Sequence, residues 1–413
     1  MSIKHIFSRV LVHTLPKKGK EKIAHEIVSA LNATLAEKKI DAHASVGGSV
    51  AKGTHLSYHD CDVFVLFAAT YKDKDISQIL ADALPFRCQR VHGSRDYFQM
   101  EQAGILFEFI PVITIQKTSD ACNVTDLSPL HVVWVNQHIG KLRDDVRLAK
   151  VFCKSQGVYG AESHVKGFSG YLLELLVIAH GGFLPLLRAG ATFTPKQVID
   201  INHVYKNKQE LFEKVNASKL VSPLIVIDPV QADRNAAAAI SEETFARFVL
   251  AAKLFLQKPS ISFFRAPLFS LAKLKKRAKS TGASLLLFTV IPHVGKDDVS
   301  GGKIVKVFDF MMKMLQQAEF HILDKGWHWN GRAYLWCIAY PDILPRVFRQ
   351  QGPLVYSPPH HITAFFKKHK SFIVENNRII ALKKRRQRSL RAYAKQFIGD
   401  PYITEKVKKI AIL

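Results

Sequence analysis

Between Ser45 and Phe67 the chain reads SVGGSVAKGTHLSYHDCDVFVLF. Asp60 and Asp62 stand at the head of its apolar run, and in a strand residues two apart share a face. Two carboxylates projecting together repel unless a cation lies between them. A hard divalent ion such as Mg²⁺ takes oxygen ligands and keeps substrate phosphates in its shell. Upstream, the Gly47-Gly48-Ser49 turn leaves backbone N–H groups and a hydroxyl free to cradle phosphate oxygens. Lys52 adds positive charge one turn later. A third carboxylate is expected from a neighbouring strand, and Glu108, between Phe107 and Phe109 in LFEFIPV, is a charge that needs a partner. Metal-binding Asp60, Asp62 and Glu108 beside a phosphate cradle of Gly48, Ser49 and Lys52 describe a nucleotidyl-transfer site. In a two-metal scheme one ion activates the attacking hydroxyl and the other steadies the triphosphate and leaving pyrophosphate. Glu108 is expected to help hold the first. Singly these motifs are common: an Asp-x-Asp also starts solvated strands, a G-G-S makes plain turns, and Glu108 could sit on an edge strand. Their order in one stretch carries the reading.

The elements that must position these residues follow from periodicity. Apolar residues at helical spacing (Ile23, Ile27, Leu31, Leu35) predict an amphipathic helix from Lys18 to Lys39. A short strand then ends in the glycine turn, CDVFVLFAA and GILFEFIPVITI are buried strands, and DISQILADAL is a helix between them. Long helical segments are expected over Val132–Gly157 and Gly170–Leu187, with TPKQVIDINHVY a further helix. Another long helix, N-capped by Ser241, closes this region. Past Pro259 short strands such as ASLLLFTVI and YLWCIAY alternate with helices and basic runs. The expectation is a multidomain α+β chain: a mixed α/β head over 1–126, a mostly helical centre over 127–258 and an α+β region over 259–413.

Composition narrows the partners. The 413 residues hold 59 Lys plus Arg against 34 Asp plus Glu, a formal charge of +25 that points to a polyanion. The longest apolar stretch, GYLLELLVIAHGGFLPLL, is interrupted by Glu174 and His180, so no transmembrane helix is expected. The basic N-terminus lacks a signal peptide's apolar core and cleavage site. Five scattered cysteines without C-x-x-C spacing fit free thiols in a reducing cytoplasm rather than disulfides or a zinc site.

GGSVAKGT followed by DCDVFVLF resembles the pattern of the DNA polymerase β-like nucleotidyltransferases, and specifically of the archaeal, class I, CCA-adding enzymes. GVYGAESHVKGFSGYLLELLVIAHGGF, IDPVQADRNAAAAIS, SFFRAP and RVFRQQGP look like further blocks of that family in the same order. The resemblance implies a tRNA nucleotidyltransferase that builds or repairs the 3′-terminal CCA from CTP and ATP without a template. It implies a polymerase β-like head, then neck, body and tail, clamping the acceptor stem and upper half of tRNA. By position in the matching blocks, Ser49, Lys52, His131, Lys150 and Tyr159 would contact the triphosphate. Arg234 would sense the incoming base with the RNA end, and Asp60, Asp62 and Glu108 would hold metal. His131 and Lys150 could instead be surface polar residues, Tyr159 could pack, and Arg234 could cap a helix or pair with Asp228. Lys52 stands where Arg is usual, Cys61 where an aliphatic residue is usual, and Glu108 where Asp is usual. A poly(A)-adding or oligoadenylate-forming enzyme, or an inactive RNA-binding relative, is the competing expectation.

Basic runs LAKLKKRAK, FFKKHK and ALKKRRQRSLRAYAKQ lie in the C-terminal third. Lys383, Lys384, Arg385 and Arg386 are the expected phosphate-backbone contacts, supplying affinity without sequence readout. The oligomeric state stays open, a homodimer included.

Overall fold

The computed structural model describes residues 2–15, 20–56, 60–266, 268–295 and 297–413. They divide into two compact units, Met1–Pro267 and Leu268–Leu413.

In the first unit, α1 (Ile3–Thr14) starts where the Ser2 hydroxyl accepts from the His5 N–H. α2 (Lys20–Glu37) lays Ala24, Ile27, Leu31 and Leu35 against the head's sheet. Lys18, where that helix was expected to begin, lies outside the described residues. β1 (Ala42–Val46), α3 (Gly48–Ala51), β2 (Asp60–Phe67), α4 (Ile76–Ala83), β3 (Gln89–Val91), β4 (Tyr97–Gln102) and β5 (Ile105–Ile113) follow. The sheet order is β1-β2-β5-β4-β3, and only β2 and β5 pair in parallel. Val63, Val65 and Phe67 from β2 and Phe107 and Phe109 from β5 are fully buried, which fixes both central strands by their apolar faces. The parallel register places Asp62 opposite Glu108.

The unit continues with α5 (Ser128–His138), α6 (Arg143–Ser155), α7 (Gly170–His180), α8 (Phe183–Gly190), β6 (Gln197–Asp200), α9 (Lys208–Lys214), β7 (Leu224–Ile227) and α10 (Glu242–Gln257). Both long helical segments expected from periodicity are broken. Gly140, at φ +48°, separates α5 from α6; Gly181 and Gly182, at φ +72° and +139°, turn α7 into α8 through 92°. The Phe183 N–H then donates to Asp145 Oδ1 at 2.8 Å, starting α8 on α6. TPKQVIDINHVY is not a helix. Its Gln197–Asp200 segment pairs in parallel with β7, because β-branched Val198 and Ile199 find a strand partner that periodicity does not show.

Phe152 of α6 meets the rings of Phe183, Phe248, Phe255, Phe263 and Phe264 at 5.6–6.4 Å, the centre of an aromatic core. Ile6 and Val10 of α1 belong to this core and not to the head's. Among the described residues no single helix is long and apolar enough to cross a membrane; α7 and α8 are apolar because they fill this core.

The second unit runs α11 (Leu271–Ser280), β8 (Ser284–Pro292), α12 (Asp297–Gln317), β9 (His321–Asn330), β10 (Arg332–Tyr340), β11 (Val347–Leu354), α13 (Pro359–Lys368), β12 (Phe372–Glu375), β13 (Arg378–Lys384), α14 (Leu390–Lys395), α15 (Pro401–Thr404) and β14 (Val407–Ile412). A sheet of order β14-β8-β10-β9 packs Leu286, Phe288 and Leu335 in one core with Ile304, Phe308 and Met311 of α12. A smaller sheet, β11-β13-β12, carries the basic run at its end. All five cysteines are free thiols.

Candidate active site

The glycine pair sets α3 directly on β2. A Cβ at Gly47 would strike the Phe64 ring; one at Gly48, whose φ is +51°, would overlap the Asp62 carboxylate. The Gly47 N–H donates to the Asp62 carbonyl at 2.8 Å, locking the turn to the strand. A cavity of about 530 Å³ opens there, lined by Ser49, Asp60, Asp62, Glu108, Lys150 and Tyr159 among others. Six of the expected site residues are thus brought together. Burial first, then the neighbouring Glu108 charge, pushes the Asp62 carboxyl up to about 6, although Lys52 and Lys150 pull it down. Glu108 accepts a hydrogen bond from Gln99 Nε2 at 2.6 Å. Among the described residues no three of His, Cys, Asp and Glu close up as a ready-made ligand group. A larger cavity of about 1020 Å³ lies at the other end of β1 and β2, beside His43, Leu66 and Lys72, away from these carboxylates.

Lys52 does not line the cavity. It is buried, and its Nζ donates to Glu174 Oε2 at 2.5 Å. The reason lies in the loop after α3, which α6 grips with one cationic face. Arg143 Nε donates to the Lys52 carbonyl (3.1 Å), Arg147 Nη2 to Gly53 (2.5 Å), Lys150 Nζ to Thr54 (3.0 Å) and Arg147 Nε to His55 (3.0 Å). Four successive carbonyls are held by side chains spaced four and three residues apart on one helix face. Lys154, the next position on that face, reaches the cavity and stands 5.0 Å from the Tyr159 ring centre. Burial lowers its ammonium pKa, with Asp60 and Glu162 opposing. Burial likewise raises the Tyr159 phenol, and Glu174 and Glu162 add to it.

His131 and Arg234 meet in a second cluster, built on Asp228. Arg234 Nη1 donates to Asp228 Oδ2 at 2.8 Å, and His131 Nε2 stands 3.4 Å from the same oxygen. The Tyr171 hydroxyl donates to Asp228 Oδ1 at 2.9 Å while its ring stacks on His131 at 4.3 Å. Burial would raise the Asp228 carboxyl, but the His131 hydrogen bond and the His131 and Arg234 charges hold it below its usual value. Neither His131 nor Arg234 lines the carboxylate cavity. Lys52 lies 5.6 Å from the Tyr171 ring centre, between the two clusters.

Residues 28–107 match the nucleotidyltransferase domain, and residues 144–265 match the second domain of tRNA nucleotidyltransferase. The CCA-adding enzyme of Nanoarchaeum equitans is 32% identical over 378 residues, 89% of this chain and 90% of that one. That of Methanothermobacter thermautotrophicus is 30% identical, covering 92% and 84% respectively. The chain belongs to the CCA-adding enzyme family. It is a nucleotidyltransferase, and divalent metals serve the nucleotidyltransferases of this family. A cytoplasmic RNA terminal U-transferase shares the fold with a TM-score of 0.51 at 16% identity, over 64% of this chain and all of that one. The Cid1 poly(U) polymerase does so at 0.52 and 15%, over 64% and 98%.

For a CCA-adding family member, sequence reasoning left out Arg143, Arg147, Lys154, Tyr171 and Glu174. The signal was present for most: four cations recur at 143, 147, 150 and 154, and Glu174 is a charge inside the apolar GYLLELLVIAH. Among the expected RNA contacts, Lys384 and Arg386 are exposed and Lys383 is half-buried. Arg385 is turned inward. It donates to the Ala318 carbonyl at 3.1 Å, pairs with Glu319 and lies 4.8 Å from the Phe348 ring centre. Its position just beyond β13 packs it against the unit instead of leaving it free for phosphate.

Proposed function

We propose that this protein adds or repairs the 3′-terminal CCA of tRNA from CTP and ATP, without a template and with release of pyrophosphate. The observation that carries the reading is the single cavity at the head of β2 in which Asp60, Asp62 and Glu108 meet Ser49, Lys150 and Tyr159. The donor set is all oxygen, and Asp62, raised by burial and then by the neighbouring Glu108 charge, is a carboxylate that a hard cation would relieve. Asp60, Asp62 and Glu108 would hold Mg²⁺, in one or two sites. Bound there, it supplies charge neutralisation for the triphosphate and a lowered pKa for the RNA 3′-hydroxyl.

The protein's own groups do the rest. Gly48 lets the N-terminus of α3 approach the strand, and Ser49 offers its hydroxyl to the phosphates. Lys150 contributes a buried positive charge at the cavity wall, and Lys52 contributes through the carboxylate it shares with Lys150. Tyr159 closes the side of the cavity beside Gly170. Arg234, one-third exposed on its Asp228 anchor, keeps donors free for the base, with His131 held beside it by the Tyr171 stack. Lys383, Lys384 and Arg386 supply phosphate contacts to tRNA from the second unit. In this reading the catalytic head is 20–126, without α1, whose Ile6 and Val10 pack in the helical core; the neck runs on to 267, since Phe263 and Phe264 belong to that core; 268–413 is the body and tail; and the enzyme works in the cytoplasm.

Extension of tRNA transcripts lacking CCA, CA or A, with CTP and ATP supplied singly and together, tests the proposal. Addition of C, C and then A with arrest supports it; an extended A tail transfers the chain to the poly(A)-adding class.

A further inference from the structure

Glu174 is fully buried, and its two oxygens are shared among three donors. Oε2 accepts from Lys52 Nζ at 2.5 Å, Oε1 accepts from the Thr54 hydroxyl at 2.5 Å, and Lys150 Nζ stands 3.5 Å from Oε1. Two buried cations therefore share one buried anion, leaving a positive excess beside the cavity that an anionic ligand would relieve. Lys150 is the member that faces the cavity; Lys52 is the member that does not.

We propose that Glu174 is a positioning residue for nucleotide addition, which holds Lys150 at the cavity wall and, in competition with Lys52, sets the charge that Lys150 offers the triphosphate. This rests on the reading that Lys150 faces the triphosphate. Burial pushes the Lys150 ammonium down to about 8, Glu174 pulls it back up, and Lys52 and Lys154 lower it. Lys150 in turn lowers the Asp62 carboxyl on the same cavity, and the Tyr159 hydroxyl flanks Lys150 at Gly170. α1, α8 and the Ile261–Phe264 turn meet α6 in the aromatic core around Phe152.

The sign of each substitution follows. Glu174→Gln removes the anion that keeps Lys150 charged, so Lys150 loses its proton at lower pH. Lys52→Met removes the competing cation and leaves Glu174 to Lys150, so the proton is held to higher pH. An opposite charge at this range moves a pKa by roughly 1–3 units, so each midpoint should move by about one pH unit, in opposite directions. Asp62 is ionised throughout the window of interest.

The experiment is equilibrium binding of CTP and of ATP to the full chain from pH 7 to 10, with KM and kcat for tRNA extension over the same range. The wild type should lose nucleotide affinity above about pH 8, where the Lys150 charge disappears. Glu174→Gln should move that loss to lower pH, Glu174→Asp should restore part of it, and Lys52→Met should move it to higher pH, with KM following more than kcat. Lys150→Met should weaken binding at least tenfold and remove the pH dependence. If Lys150→Met leaves binding unchanged, the triphosphate reading and this proposal both fall. If Lys150→Met weakens binding while the Glu174 and Lys52 variants keep the wild-type midpoint, only the positioning role is overturned. Should Glu174→Gln melt in a thermal control, the upward shift in Lys52→Met decides alone, and its absence refutes the proposal.

Discussion

At the scale of single residues, the contact between Gly48 and Asp62 ties backbone conformation to chemistry. Gly48 adopts a left-handed conformation, and any Cβ there would displace the carboxylate. Gly48→Ala is expected to cost about 1–2 kcal/mol in stability from the backbone conformation alone. Nucleotide addition should fall at least 100-fold, because Asp62 is pushed off its position. Single-turnover extension alongside thermal melting measures both; retained activity would show that the carboxylate does not need its seat on the glycine. Asp62 itself carries a pH signature. Its folded pKa is raised from 3.8 to about 6, so the folded state binds the proton more tightly than the unfolded chain, and stability is lost as pH rises through that window. Asp62→Asn should therefore abolish addition yet stabilise the protein in EDTA above pH 6, by about 2–3 kcal/mol at most and by nothing below pH 4. Added Mg²⁺ should stabilise the wild type but not the variant. Equal melting temperatures at pH 7.5 in EDTA would mean the charge is already compensated.

At the scale of elements, α6 does two jobs with two faces. Phe152 seats one face in the aromatic core, while Arg143, Arg147 and Lys150 hold the loop after α3 by its carbonyls. The loop between the glycine turn and the carboxylate strand is therefore held by a helix distant in sequence. Arg147 is nearly buried and donates to Gly53 and His55, so Arg147→Met leaves carbonyls without donors, at about 1–3 kcal/mol each. The expected outcome is a lower melting temperature and a raised KM for CTP and ATP, with tRNA affinity kept. A variant that melts lower but keeps its nucleotide KM would reduce α6 to scaffolding. The helical pattern of α6 was legible in the sequence, since its cations recur on one face. What they hold was not, because backbone carbonyls leave no mark on residue type.

At the scale of the whole molecule, the charge of +25 belongs to a protein whose partner is a polyanion. The basic run after β13 is divided by packing: Lys384 and Arg386 face solvent, whereas Arg385 is bound to Ala318, Glu319 and Phe348. Replacing Lys383, Lys384 and Arg386 together should shallow the log–log salt dependence of tRNA affinity by about three units, at close to one unit per lost phosphate contact. Arg385→Ala should instead lower stability by about 1–3 kcal/mol and leave the salt slope alone. A slope that follows Arg385 and ignores the other three would reverse this assignment.

The nucleotidyltransferase class of the head and the alternation of its strands were legible in the residues alone. The two aspartates, the glycine pair and Glu108 are local or strand-periodic features, and burial of alternating apolar residues leaves one way to face them. The sequence also carried the family resemblance and the preference for a polyanion. The tertiary structure alone decided where charges found partners. Lys52, expected at the triphosphate, is drawn to Glu174 because a buried acid on α7 requires a cation more strongly than an open cavity does. His131 and Arg234 are far apart in sequence and meet on Asp228, while TPKQVIDINHVY yields a strand because β7 offers a ladder that no local pattern can reveal. Periodicity reports which face of an element is apolar. Which other element covers that face, and which charge lies across from which, is settled only when the chain closes on itself.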